Sequence, residues 1–300
     1  MSGADPASPA SQASPASNAD QIEYWNSTGG DSWTRNQQKL DAVLAPVSDQ
    51  VLKDADIRPT DNVLDVGCGC GDTTLAIAAR LKTGRAIGAD ISAPMLARAK
   101  DRAGSTKLPI EFIQADVATY SLEPGTVDLV FSRFGVMFFA DPTAAFANIR
   151  KSLSANGRLT FACWRDMTEN DWMFRPLAAA LAHITPPEPP APGAPGPFAF
   201  ADPDRVRAIL EGAGFKNITI TPFDTKLTLG APGAAASNDS ALADALHFLT
   251  EIGPFSRLMA DEPAENKNKA MAAVESELET WSGPDGIQLA AACWIVKADA

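Results

Sequence analysis

From Asn62 onward, two rhythms of apolar and polar positions alternate along this chain. Asn62-Val63-Leu64-Asp65-Val66 is a short apolar run that ends in glycines, the pattern of a buried strand. Asp72 is placed to cap the helix that follows, whose apolar face is Leu75, Ile77, Ala78 and Leu81. Arg85 to Asp90 reads as a second strand, followed by Ser92 as N-cap and Pro94 in the first turn of a helix. Ile110 to Ala115 is a third strand. Val127 to Ser132 is a fourth, almost wholly apolar, as a central parallel strand covered on both faces must be. A helix from Pro142 to Leu153 ends at Asn156-Gly157, a turn that launches a strand from Arg158 to Trp164. Strands alternating with helices predict right-handed crossovers and an α/β, doubly wound, mostly parallel sheet.

Outside this core the rhythm changes. Residues 1–20 are Ala, Ser and Pro with almost nothing to bury, which predicts a disordered tail. Order should begin near Ile22, and residues 22–60 read as N-terminal cap helices with an apolar stripe through Leu40, Val43, Leu44 and Val47. Thr185 to Pro197 reads TPPEPPAPGAPGP and excludes a helix or an inner strand, so 166–202 is expected to be a Pro-rich lid segment. Asp202-Pro203 opens another helix. Lys216 to Leu229 predicts a long strand bent at Pro222. A helical insert spans about 238–282, before a last strand from Ile287 to Val296. Residues 21–300 are therefore expected to form a single domain, with a core at 61–165 and a C-terminal half at 203–300.

Composition narrows the function classes. The 300 residues carry 25 Lys plus Arg against 37 Asp plus Glu, a formal charge of −12. That field repels nucleic acid and anionic membrane surfaces as main partners. No apolar run is long enough to span a membrane, and the N-terminus lacks the basic and apolar regions of a secretory signal. Four cysteines make no disulfide framework, so a cytoplasmic protein with reduced thiols is expected. Cys68 and Cys70 have no other Cys or His at zinc spacing, so no metal is expected.

The chemistry concentrates in Val63-Leu64-Asp65-Val66-Gly67-Cys68-Gly69-Cys70-Gly71. Glycines at the end of the first parallel strand let a ligand approach the backbone closely. A dinucleotide fingerprint requires Gly-x-Gly-x-x-Gly facing a pyrophosphate. Here the glycines are spaced differently and flanked by Asp65 and Asp72, which suits a cationic ligand instead. Asp90 ends the second strand, where an acid can take both hydroxyls of a ribose. Asp116 follows the third, placed to touch a base edge.

These motifs resemble the class I S-adenosylmethionine-dependent methyltransferases, through the glycine-rich run, Gly88-Ala89-Asp90-Ile91-Ser92 with Met95, and Asn156-Gly157 before the fifth strand. The resemblance covers Trp25 to Trp164. Within the class the chain is most similar to the ubiquinone/menaquinone-biosynthesis-type branch, through the run from Phe131 to Phe139. The resemblance implies a Rossmann-like seven-stranded sheet and S-adenosyl-L-methionine as cofactor. Gly67, Cys68 and Gly69 would then pack under the methionine part, with Asp65 reading its ammonium. Asp90, Ile91 and Met95 would serve the ribose and adenine, and Asp116 and Val117 the adenine edge. Ser132 and Arg133 would border the substrate entrance. Trp25 and Trp33 would cover the cofactor, with an aromatic face toward the sulfonium.

The implied reaction is methyl transfer by in-line displacement to oxygen or carbon of a small, apolar or aromatic acceptor. Orientation alone supplies up to about 7–11 kcal/mol of such a barrier. His247, inside the insert, is a candidate general base, with a satisfied core or surface place as the bland alternative, and Arg133 is a candidate for holding an acidic substrate group, with an ion pair that shapes the pocket as its alternative. Two rival functions stay open: a methyltransferase-like binder without turnover, and an NAD-dependent oxidoreductase, which the glycine spacing disfavours. The insert can pair with a second copy to form a homo-oligomer or pack within one chain.

Overall fold

The computed structural model describes residues 18–186, 191, 193–232, 241–260 and 262–300. The first seventeen residues of the expected tail, and five residues of the Pro-rich segment, lie outside that set. Of the residues expected in the tail, Asn18 stands before a helix and Ala19 and Asp20 enter it: α1 begins at Ala19.

Five strands run parallel: β1 (Asn62–Val66), β2 (Arg85–Asp90), β3 (Ile110–Gln114), β4 (Val127–Arg133) and β5 (Leu153–Trp164). The long β6 (Lys216–Gly230) and β8 (Gly286–Asp299) complete the sheet, and β7 (Ser282–Gly283) is a two-residue hairpin arm on β8. The order is β3-β2-β1-β4-β5-β8-β6, with β8 antiparallel to both neighbours. Strand order reverses between β1 and β4, so their carboxyl ends open a crevice where ligands bind in open α/β sheets.

Local chemistry explains the helix starts. Ser92, Asp141 and Asp202 each accept a backbone N–H from the first turn of α5 (Ala93–Gly104), α6 (Pro142–Ser152) and α8 (Pro203–Gly212), and each helix has a proline in that turn. Helix α4 (Asp72–Ala78) departs from expectation. Its N-cap is Gly71 in the left-handed region at φ +83°, and Asp72 makes no capping bond. The Asp72 carboxylate turns instead to Arg133, 2.8 Å away, because a charged donor outcompetes a backbone amide. The Asn156-Gly157 turn is absorbed into β5, which starts at Leu153. In β6 the register shifts lie near Lys216 and Thr228, while Pro222 pairs in line with Trp294. An edge strand tolerates proline because no further neighbour needs its missing N–H.

Helices α1 (Ala19–Trp25), α2 (Thr28–Arg35) and α3 (Gln37–Asp54) precede the core, and α3 buries Leu40, Val43, Leu44, Val47 and Val51. After β5 come α7 (Asp171–Leu181) and then, between β6 and β7, the insert: α9 (Ala241–Glu251), α10 (Pro254–Ala260) and α11 (Ala264–Glu279). The insert and the N-terminal helices meet over the strand ends. Ser32 donates to the Glu251 carbonyl at 2.7 Å and Arg35 pairs with the Glu251 carboxylate at 2.7 Å, which holds that carboxyl below its ordinary range. Lys39 pairs with Asp244. The Arg257 guanidinium lies 4.2 Å from the Tyr24 ring centroid, and its Nε donates to the Tyr24 hydroxyl at 3.0 Å. Among the described residues, no helix is long and apolar enough to cross a membrane.

Candidate active site

A cavity of about 460 Å³ lies under that roof, and its two ends differ in chemistry. One end is built on the carboxyl ends of β1, β2 and β3. Gly67 and Gly69 turn the chain there with φ of +69° and +54°, conformations that glycine adopts at no steric cost. A Cβ on Gly67 would meet the Gly135 Cα at 2.6 Å, so two backbones touch where β1 and β4 diverge. The Gly69 N–H donates to Asp90 Oδ2, and the Ser92 N–H to Asp90 Oδ1, both at 2.8 Å. Burial raises the Asp90 pKa, and those backbone donors oppose the rise. Ile91, Met95, Asp116 and Val117 complete this wall. Asp116 Oδ1 accepts the Ala118 N–H at 3.0 Å.

The N-terminal helices are strapped to this end. Asn26 donates to the Ile91 carbonyl and accepts from the Ala93 N–H, each at 2.9 Å, and the Ser92 hydroxyl donates to the Trp25 carbonyl at 2.6 Å. Trp25 stands edge-to-face with Trp33 and Phe138, centroids 5.6 and 5.5 Å apart, and all three line the cavity.

Three candidate residues lie behind the wall. Asp65 is fully buried. Its Oδ2 accepts from Thr73 and Thr74 at 2.7 and 2.6 Å, and its Oδ1 has no partner. Desolvation lifts its pKa to about 6, against the pull of the two threonine bonds. Ser132 is also fully buried; it donates to the Val66 carbonyl at 2.8 Å and accepts from Gly135 N at 3.1 Å, tying β4 to β1. Cys68 faces a small side pocket rather than the main cavity, and burial pushes its thiol pKa well up. Arg133 does line the cavity, and its Nη1 donates to Asp72 and to the Ser48 hydroxyl.

His247, the candidate general base, is not brought to the cavity. It is exposed and absent from the cavity wall, where its neighbours Phe248 and Ile252 stand. Helix α9 buries Ala245, Phe248 and Leu249, and a rotation of about 100° per residue turns position 247 off that face.

The other end of the cavity is aromatic, and no pattern in the sequence marks it as a unit. Phe134 stacks on Trp164 with centroids 4.0 Å apart and planes at 12°, and Trp164 meets Trp172 at 5.3 Å. Phe134 holds φ at +69°, a strained conformation for a side chain this large. Met167, Met173 and Phe198 also line the cavity. Trp164 ends β5, so the rule that ligands bind at carboxyl ends of strands could have found it. Trp172 comes from α7, whose placement no local pattern gives.

This sheet order with its glycine turn at the switch point is the class I methyltransferase fold. Residues 63–157 match the family model described as a methyltransferase domain. The chain is 34% identical over 97 residues to the demethylmenaquinone methyltransferase of Thermus thermophilus, covering 32% of this chain and 44% of that protein. It is 34% identical over 132 residues to the trans-aconitate 2-methyltransferase of Deinococcus radiodurans, covering 43% and 48%. The chain therefore spans less than half the length of these curated relatives. Among solved structures, the YcgJ protein of Bacillus subtilis superposes with a TM-score of 0.55 at 14% identity, over 85% of this chain and 98% of that one. Phosphoethanolamine N-methyltransferase 2 of Haemonchus contortus, solved with S-adenosyl-L-methionine, also gives 0.55, at 15% identity over 94% and 60%. The match to a methyltransferase domain lies at residues 63–157, within a sheet of the class I fold.

Proposed function

We propose that this chain is an S-adenosyl-L-methionine-dependent methyltransferase acting at oxygen or carbon of a small aromatic or apolar acceptor. One observation carries the reading: a single cavity joins an acidic, glycine-lined end at the sheet's switch point to an aromatic end under the insert. The residues fit the cofactor. Asp90 keeps acceptor capacity for a ribose diol beyond its two backbone donors. The unpartnered Oδ1 of Asp65 is a buried anion near the glycine turn, and a ligand ammonium, directly or through one water, would relieve it. The bound cofactor supplies an electrophilic methyl on a sulfonium. The chain's own task is then alignment and exclusion of water, which the packed roof and aromatic walls perform.

The acceptor wall bears on the acceptor. The carboxylates among its described lining residues, Asp90 and Asp116, both belong to the cofactor end, and no His or Lys joins them. An acceptor that arrives already nucleophilic, as an ionised oxygen or the carbon conjugated to one, suits this wall. Trp172 offers the indole Nε1–H, buried and without a partner, to an oxygen of such a molecule.

Thermal-shift titration with S-adenosylmethionine and S-adenosylhomocysteine tests the cofactor, and methyl transfer to a panel of phenols, enolisable carbonyls, carboxylates and thiols tests the acceptor. Stabilisation by both cofactor forms and transfer to phenols or enols is expected. Absence of stabilisation in a folded sample refutes the reading.

A further inference from the structure

Asn18 stands immediately before α1 and lines the cofactor end of the cavity beside Asp116. Its side-chain Nδ2 donates to Asp116 Oδ2 at 3.2 Å. Its Oδ1 is buried and has no partner. The orientation of the amide follows from chemistry: a carboxylate only accepts, so the NH₂ must face Asp116 and the carbonyl oxygen is left over. A buried acceptor without a donor costs free energy and calls for an explanation.

The explanation lies in what the two residues present together. Asp116 Oδ1 takes the Ala118 N–H, while Oδ2 takes the Asn18 amide and, as a carboxylate oxygen, keeps room for a second donor. The wall beyond β3 thus offers two acceptors side by side, Asp116 Oδ2 and Asn18 Oδ1. A nucleobase amino group has two N–H bonds. A nucleobase carbonyl has none and would turn its own lone pairs toward both oxygens.

We infer that Asn18 reads the base of the cofactor: its Oδ1 takes one N–H of the exocyclic amino group, and Asp116 takes the other. This rests on the proposed function, which makes this end of the cavity a nucleoside site. It goes further by placing a selectivity residue in the N-terminal segment, outside the matched domain at 63–157. The base is then read from two sides, by a strand end and by the segment that closes over it.

The experiment uses the full chain and calorimetric titration with S-adenosylhomocysteine and its deaminated counterpart, S-inosylhomocysteine, which carries a carbonyl in place of the amino group. The unaltered protein should bind the amino form at least 100-fold more tightly, as sites built to pair a ligand N–H do. N18A and the size-matched N18L should each weaken S-adenosylhomocysteine about tenfold and leave S-inosylhomocysteine unchanged or tighter, so the preference shrinks. If both variants weaken the two ligands equally, Asn18 only anchors α1 and the inference is wrong. If they leave the preference intact, it is wrong as well. Failure of the unaltered, folded protein to bind S-adenosylhomocysteine at all would overturn the proposed function itself, a distinguishable result.

Discussion

Asp65 gives the sharpest quantitative test. Its carboxyl is fully buried, and desolvation lifts its pKa to about 6 from an ordinary 3.8. Between these values the folded state binds a proton that the unfolded state has released. Stability therefore falls as pH rises through this window, and above about pH 6 the full penalty is in force. A gap of about 2 pH units between the two states corresponds to about 3 kcal/mol. D65N keeps the shape and removes the titration. The amide NH₂ it introduces at the Oδ1 position lacks a partner and costs about 1–3 kcal/mol, but that cost does not depend on pH. The diagnostic quantity is the stability of D65N minus that of the unaltered protein, from urea unfolding at pH 7.5 and at pH 4. This difference should be about 2–3 kcal/mol more favourable to D65N at pH 7.5, since at pH 4 the unfolded carboxyl is already partly ionised. Asp41 and Asp90 also have raised pKa values, but they are present in both proteins and cancel. In the same variant, stabilisation by S-adenosylmethionine should shrink, because the cation no longer meets an anion. A stability difference that is the same at both pH values would show that Asp65 carries no such penalty.

Other substitutions probe the remaining geometry. G135A places a Cβ 2.5 Å from the Val66 carbonyl oxygen and 2.8 Å from the Gly67 Cα, so it should lower stability by about 1–3 kcal/mol in urea unfolding and weaken cofactor binding with it. H247A alters an exposed side chain off the cavity wall, so kcat and KM with any accepted substrate should stay within about twofold of the unaltered enzyme; a larger loss would return His247 to the chemistry. W172F deletes a buried donor that has no partner, so stability should change by less than about 1 kcal/mol. Across an acceptor panel, W172F should cost most kcat/KM for molecules with an oxygen beside the ring, and an even loss would argue for packing alone.

The strands and the cofactor end were legible in the sequence because each signal is local. A glycine run at the end of β1, an acid closing β2 and a serine-proline helix start each reveal their place within a few residues. Asp65 and Ser132 lie near the ends of β1 and β4, yet both turn inward, since alternation along a strand does not say which face a ligand meets. Phase was the difficulty at His247: the helix was visible, and one residue of rotation separates it from Phe248, which does line the cavity. The aromatic end and Asn18 left no local trace. Trp164, Trp172 and Phe134 become one surface only when α7 folds back across the strand ends, and the partner of Asn18 lies 98 residues away in sequence.

The position of β8 also has a consequence for how the molecule is made. Among the described residues β6 pairs only with β8, which follows it in chain order and lies between β5 and β6 in the sheet. A ribosome releasing the chain therefore exposes fifteen residues of β6 before the strand that shields them exists. At about 5–20 residues per second, the interval until β8 follows is roughly 3 to 14 seconds. During that time both the inner edge of β6 and the outer edge of β5 are open templates for pairing with other chains. The Ser32–Glu251 bond, between residues 219 apart, waits longer still, roughly 11 to 44 seconds. Expression at lower temperature, or with a chaperone that shields strand edges, should raise the soluble yield.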